Sequence, residues 1–373
     1  VGIFLFGIQT YFLSKLVVYL IRILIFSIDN TLLDQEIFLT FLLGLNIIDW
    51  ISILLVIVFQ TMLFSIGIQY NKKLINYSAI IVYAGMIIFF LTVFLSDVKT
   101  TTQAFSNILN FENFLKQNNI LPLITVAGTI FAYFSIVIVS FGDFTRYVNN
   151  ERDLTKGNLS LILNLIIFSF FSIAIVVGSD VFLNQKFQDL DRIFTNPTDI
   201  IGKFDNLQIT IVVLFFIIIA SASTNLVANY IPSQYSLINF LPNKLNLKSA
   251  SYTISFLGLI VGIFWLTVLS QIGILSFVDT FSCFFGPLFG VIIADYYLIK
   301  NQTLSNKDLY SIENQSAYYY SKGWHIKGTY SIILGFIFSA STIWNTNLMF
   351  LQSYAWIIGA FISWLTYYLL AKK

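Results

Sequence analysis

Cysteine, histidine, proline and charge are all scarce in this chain. The single cysteine, Cys283, excludes a disulfide framework or a thiolate metal site built within the chain, and its apolar neighbours make it a small core filler. The one histidine, His325, stands in a polar loop with no acid or thiol spaced for chemistry, so it reads as a solvated side chain. Charged residues are 10% of the 373, against about 25% in soluble domains, and the net charge of +2 is scattered rather than striped, which argues against a nucleic-acid partner. HExxH, GxSxG and GxxxxGK[ST] motifs and paired intramembrane carboxylates are missing too, so an enzyme has no constellation to stand on.

Apolar length is what the chain has. Hydrophobic residues make up 57%. About 20 consecutive apolar residues cross hydrocarbon as a helix, and ten segments reach that length: 2–24, 46–68, 75–96, 120–141, 158–179, 208–230, 250–269, 275–298, 328–345 and 351–370. An all-α polytopic membrane protein is implied, seated in the cell membrane with the lipid bilayer as its solvent. Most Lys and Arg, among them Lys72, Lys73, Arg146, Arg152, Lys244, Lys300, Lys372 and Lys373, fall on the side shared by both ends, which places those ends in the cytoplasm. Two loops on the other side are long, 97–119 and 180–207, and NILNFENFLKQ in the first has the spacing of a short surface helix. Five prolines and abundant Phe, Ile and Asn suit the drift of an AT-rich genome. Val1 opens inside an apolar run with neither methionine nor a basic region ahead, as a fragment lacking its N-terminal part would.

The sixth segment ends in ASASTNLVANYIP, where hydroxyls and amides crowd into a hydrophobic helix. Polar side chains in lipid cost free energy unless they find partners or line a ligand path. At about 100° per residue, Ala220, Ser223 and Thr224 share one face and Ser221, Asn225 and Asn229 another. The first face offers hydroxyls and a carbonyl to a small hard cation. The second offers paired donors and acceptors to a planar organic ligand. Helix–helix glue or bonding back to the carbonyl one turn earlier is the alternative for each of these side chains.

Five ordered strings then carry a resemblance: FGIQT at 6–10, FGDFTRYV at 141–148, STNLVANYIP at 223–232, FGPLFGVIIADYYLIK at 285–300 and YYYSKGW at 318–324. The chain resembles the nucleobase:cation symporter-1 family, permeases for cytosine, purines, uracil, allantoin, hydantoins and thiamine precursors. That resemblance implies a leucine-transporter-like fold with inverted five-helix repeats. Helices 3 to 12 are then present and the first two missing, with 1–96 the rest of the first repeat, 120–298 the second and 328–373 two C-terminal helices. It implies that Gln9, Asn225 and Asn229 bind substrate, and that Ser223, Thr224 and the carbonyl of Ala220 hold Na+, with H+ as the other coupling ion known in the family. Family members sandwich the ligand between two tryptophans, and here those positions hold Leu5 and Phe134, so the pocket grips less aromatically. Asp143, Arg146 and Asp295 fall at helix ends and are assigned structural or gating parts.

The implied function is cation-coupled uptake of a nucleobase or related heterocycle by alternating access, the protein acting as a monomer. A symporter of another small solute such as an amino acid, or a non-transporting sensor, are the competing possibilities. Lys15 is an oddity: six residues from Gln9 and about 120° around the helix, its ammonium must snorkel or pair with an acid such as Asp279.

Overall fold

The computed structural model describes residues 1–95, 97–108, 120–186, 200–203, 206–271, 274–309, 311 and 313–372. Among the described residues, ten helices are long and apolar enough to cross a membrane. They are α1 (Gly2–Ile28), α2 (Ile47–Ser65), α3 (Ile68–Phe94), α4 (Ile120–Val139), α5 (Glu151–Lys186), α6 (Leu207–Phe240), α7 (Leu247–Thr267), α8 (Ile274–Ile293), α9 (Ile326–Trp344) and α10 (Ala355–Ala371). Most of NILNFENFLKQ lies outside the described residues, and the helix seen in that loop is Val98–Ile108. In the second long loop α5 runs on to Lys186, and residues 187–199 lie outside the description.

Helix starts near an apolar phase need partners for their free N–H groups, and short polar side chains supply them. Asn46 and Asp49 cap α2 reciprocally, as Asn246 and Ser249 do α7, while the Asn206 amide oxygen accepts from the N–H of Ile209 at the start of α6. Pro232 brings no N–H to the ladder of α6. The five residues ahead of Ile231, Leu226–Tyr230, form a π turn, closed by the Ile231 N–H donating to the Leu226 carbonyl five residues back.

The described contacts divide into two compact units. The first joins Val1–Phe114 and Asp143–Gln271. Within it α1 packs on α7, α2 and α6, and α3 packs on α6 and α5. Small residues set how closely α1 and α7 approach, the usual device where lipid removes the hydrophobic drive between helices. A Cβ at Gly7 would come within 2.6 Å of the Gly258 carbonyl oxygen, and one at Gly258 within 2.5 Å of the Phe6 ring. Phe6 is thereby driven into a buried cluster with Phe64, Leu226, Tyr230 and Ile254, which fixes the turn of α1 that carries Gln9 and Thr10.

The second unit joins Leu115–Gly142 and Ile272–Lys373, with α8, α9 and α10 packed together and α4 against α8. Its crossing uses the same device, since a Cβ at Gly290 would stand 2.1 Å from the Ala360 carbonyl oxygen. The Ser363 hydroxyl donates to the Pro287 carbonyl at 2.8 Å, and Cys283, also in α8, is fully buried.

Candidate functional site

Gln9 meets Asn225 and Asn229, one turn apart on α6 and more than 200 residues away in sequence, inside the first unit. The Asn229 amide donates to Gln9 Oε1 at 2.8 Å and to Asn225 Oδ1 at 2.9 Å, while Gln9 Nε2 donates to the Ser221 carbonyl at 3.2 Å. Asn225 is completely buried, and its NH2 group donates to the Phe6 carbonyl at 3.3 Å and to Thr10 Oγ1 at 3.2 Å. The amide face of α6 thus packs on α1. After these bonds Asn229 keeps its carbonyl oxygen, and Gln9 keeps one N–H, for a further partner. One acceptor beside one donor matches a planar ring edge that carries N–H next to C=O.

The hydroxyl face is arranged differently. Ser223 Oγ and Thr224 Oγ1 both donate to the Ala220 carbonyl, at 3.1 and 2.8 Å. Three oxygens from one turn suit a hard cation in chemistry. Both hydroxyl protons are spent on the oxygen that a cation would share, so binding would turn them aside. Ser223 also lines an apolar cavity of about 460 Å³ among α1, α2, α3 and α6, together with Leu13, Leu55, Phe59, Gln60 and Phe215. Phe134 belongs to α4 in the second unit, where its ring packs edge-on against Tyr133 at 5.4 Å.

Two members of the polar group escape a wheel drawn on α6 alone. Thr10 Oγ1 donates to Gln60 Oε1 on α2 at 2.9 Å, and both side chains are buried. Gln60 was visible as the one amide within the apolar run of α2, a position where polar groups in lipid mark function. Its partner could not be read from spacing, because the pair joins two helices.

Lys15 pairs with Asp49 at 2.8 Å, not with Asp279. Asp279 belongs to the second unit and accepts from Gln352 there, also at 2.8 Å. The acid that caps α2 lies within reach of the lysine side chain, whereas an acid late in the chain has no reason to stand beside α1. His325 also departs from expectation: it is half-buried, its ring tilted against that of Tyr320 at 4.0 Å between centroids, with Nε2 3.3 Å from the Tyr367 hydroxyl. The Tyr367 hydroxyl donates to Asp295, whose carboxylate also holds Lys300 at 2.7 Å. Burial pushes the His325 imidazole below its ordinary value, Lys300 and Lys327 adding to the effect and Asp295 opposing it. Burial alone would lower Lys300 too, but its bonds to Asp295 and Tyr320 hold it above the usual range. In FGDFTRYV, Arg146 lies over the Tyr235 ring at 3.6 Å and 3.8 Å from Asp143, whose carboxyl burial raises against the pull of Arg146.

A family model described as permease for cytosine/purines, uracil, thiamine, allantoin matches residues 1–359. The chain belongs to that family. Ten apolar helices and this membership make it a multi-pass membrane protein. Among its relatives are the allantoin permease of Bacillus subtilis (strain 168), 29% identical over 65% of this chain and 48% of that protein, and the purine-uracil permease NCS1 of Arabidopsis thaliana, 24% identical over 65% and 41%. The chain spans about half the length of the curated relatives it matches. In structure it is similar to Mhp1, a nucleobase-cation-symport-1 family transporter solved closed with bromovinylhydantoin bound, with a TM-score of 0.68 and 18% identity over 99% of this chain and 72% of that one. The inward-facing conformation of Mhp1 matches with a TM-score of 0.59. These likenesses establish the fold as that of this transporter class.

Proposed function

We propose that this protein is a secondary transporter that takes up a nucleobase-like heterocycle together with a cation. One observation carries this reading above the others: an amide trio, buried Asn225 and Asn229 with half-buried Gln9, whose bonds together still leave one acceptor and one donor uncommitted. A planar ureide or lactam edge satisfies both at once, and a side-chain amide pair in a lipid-surrounded helix bundle gains little from any other arrangement. The names of the relatives, allantoin, purine-uracil and hydantoin permeases, point to the same ligand chemistry.

Ser223, Thr224 and the Ala220 carbonyl are assigned to the coupling ion, Na+ in preference to H+, because all three offer oxygen and no carboxylate stands among them. Cation and heterocycle are then carried on adjacent faces of one helix. By linkage, each must raise the affinity for the other by the same factor. The part of Phe134 as an aromatic wall rests on motif register alone. So do the inverted repeats at 1–96 and 120–298, while the cytoplasmic placing of both ends rests on the distribution of Lys and Arg.

Full-length protein in proteoliposomes, screened with cytosine, uracil, purines, allantoin and hydantoin, should accumulate at least one of them only when Na+ is higher outside. Uptake that ignores a Na+ gradient and follows a pH gradient would transfer the coupling to protons. Uptake of none of the five, in vesicles that accumulate an amino acid, would replace the heterocycle altogether.

A further inference from the structure

We infer that Gln60 and Thr10 are positioning residues that set which hydrogen-bonding groups the amide trio shows to its ligand; this rests on the heterocycle reading above. A threonine in a helix ordinarily returns its hydroxyl proton to the carbonyl three or four residues back. For Thr10 the carbonyl four back is that of Phe6. Gln60 takes the proton instead, at 2.9 Å. The Phe6 carbonyl and the Thr10 oxygen are both then left as acceptors, and the two hydrogens of the Asn225 NH2 group go one to each.

The orientation propagates. With its NH2 turned towards α1, Asn225 can offer only Oδ1 to Asn229, so Asn229 must approach with its own NH2, which it also gives to Gln9 Oε1. What remains for a ligand is the Asn229 carbonyl oxygen as acceptor and one Gln9 N–H as donor. Each amide in the row has its O and N ends fixed by the one before it. Gln60 stands at the head of the row, 1% exposed, its own Nε2 without a partner among the described residues. A buried donor left unbonded costs free energy, and packing alone would have been served by leucine or methionine at this position. The side chain is held for its oxygen.

Removing that oxygen frees Thr10 to bond back to Phe6, in competition with Asn225. The amides can then turn over, and Asn229 presents a donor as readily as an acceptor. A ligand whose ring N–H groups are blocked by methyl should therefore be rejected less strongly. Full-length protein is purified as the parent, Gln60→Leu, Thr10→Val, the double variant and Gln60→Glu, whose carboxyl oxygen can again accept from Thr10. Each is titrated with uracil and with hydantoin, and with the N,N-dimethyl derivative of each.

In the parent, dimethylation should weaken binding strongly, because it leaves the Asn229 oxygen unbonded. Gln60→Leu and Thr10→Val should each shrink that discrimination by about tenfold, the worth of one oriented hydrogen bond. They should raise KM for uptake with kcat little changed, and the double variant should be no worse than either single one. Gln60→Glu should restore the parent ratio. Thermal stability is followed alongside, since loss of folding without a change in the ratio of the folded protein would mean a packing role and overturn the relay. An unchanged ratio in stable Gln60→Leu and Thr10→Val, or effects that add in the double variant, would overturn it too. A parent that binds neither uracil nor hydantoin would instead sink the heterocycle reading, and the relay with it.

Discussion

Replacing Lys15 with Met tests whether α1 is tied to α2 by charge. The ammonium lies 2.8 Å from an Asp49 carboxylate that is 6% exposed, while Lys15 itself is 30% exposed. At that distance the attraction amounts to about 6 kcal/mol in a medium of effective dielectric about 20, set against the cost of drying the carboxylate. Breaking a fully buried pair costs about 3–5 kcal/mol, and the water that reaches Lys15 lowers the expected loss for Lys15→Met to about 2–3 kcal/mol. Asp49→Asn keeps an oxygen for the Asn46 N–H and leaves an ammonium that can swing towards water, so it should cost only about 1 kcal/mol. Lys15→Met with Asp49→Asn should come back to within about 1 kcal/mol of the parent, because no unpaired charge remains. Thermal unfolding of the four proteins in detergent reads the cycle. A loss below about 1 kcal/mol in Lys15→Met, with a double variant no more stable than that single one, would refute the reasoning. Uptake and its pH dependence, measured on the same four, should be unchanged if the pair is structural; a shifted pH profile would make Lys15 part of coupling.

Gly258→Leu places a branched side chain where even a Cβ meets the Phe6 ring, so it should cost about 1–3 kcal/mol by overpacking and weaken heterocycle binding as Gln9 moves with α1; unaltered stability would mean that the crossing is loose. Asn229→Leu removes both the acceptor and the link to Gln9 and should lower ligand affinity by more than about tenfold in equilibrium binding. Ser223→Ala with Thr224→Ala should instead raise the Na+ concentration needed for half-maximal uptake while leaving ligand binding at saturating Na+ close to the parent's. His325 has its folded-state value lowered, so its neutral form stabilises the fold fully above the unfolded value of about 6.5 and less as pH falls below it. Thermal midpoints should therefore drop between pH 7 and pH 5, and drop less in His325→Phe; identical profiles would remove the histidine as the cause.

How much was legible in the sequence differs from element to element. The ten spans were legible because hydrocarbon thickness demands a length that composition displays directly. The separation of Ser221, Asn225 and Asn229 from Ser223 and Thr224 was legible because it is a matter of helical angle within one segment. Gln9 came only through the FGIQT motif, since nothing in its own helix says that it meets α6 from 212 residues away. The partners of Gln60, Thr10 and Asp49 stayed hidden for the same reason: they are chosen by which helices cross, and the crossing of α1 and α7 is set by glycines whose value lies in what is not there. His325 was misjudged because loop polarity does not show that Tyr320 of its own loop and Tyr367 of α10 will pack against it.

The π turn at Leu226–Tyr230 carries one residue more than an α-helical turn would use over the same rise. Everything before it on α6 therefore keeps one angular setting and everything after it another, offset by about 100°. Deleting a single residue between Leu226 and Tyr230 would restore a plain α-helix and leave the second half of α6 facing as it does now, whereas winding the same residues as plain α-helix would swing that half round by about 100°. Change of winding here is not graded: a passage from π to α geometry would re-aim every side chain beyond the turn, the buried Ser233 and Gln234 among them, in one discrete step.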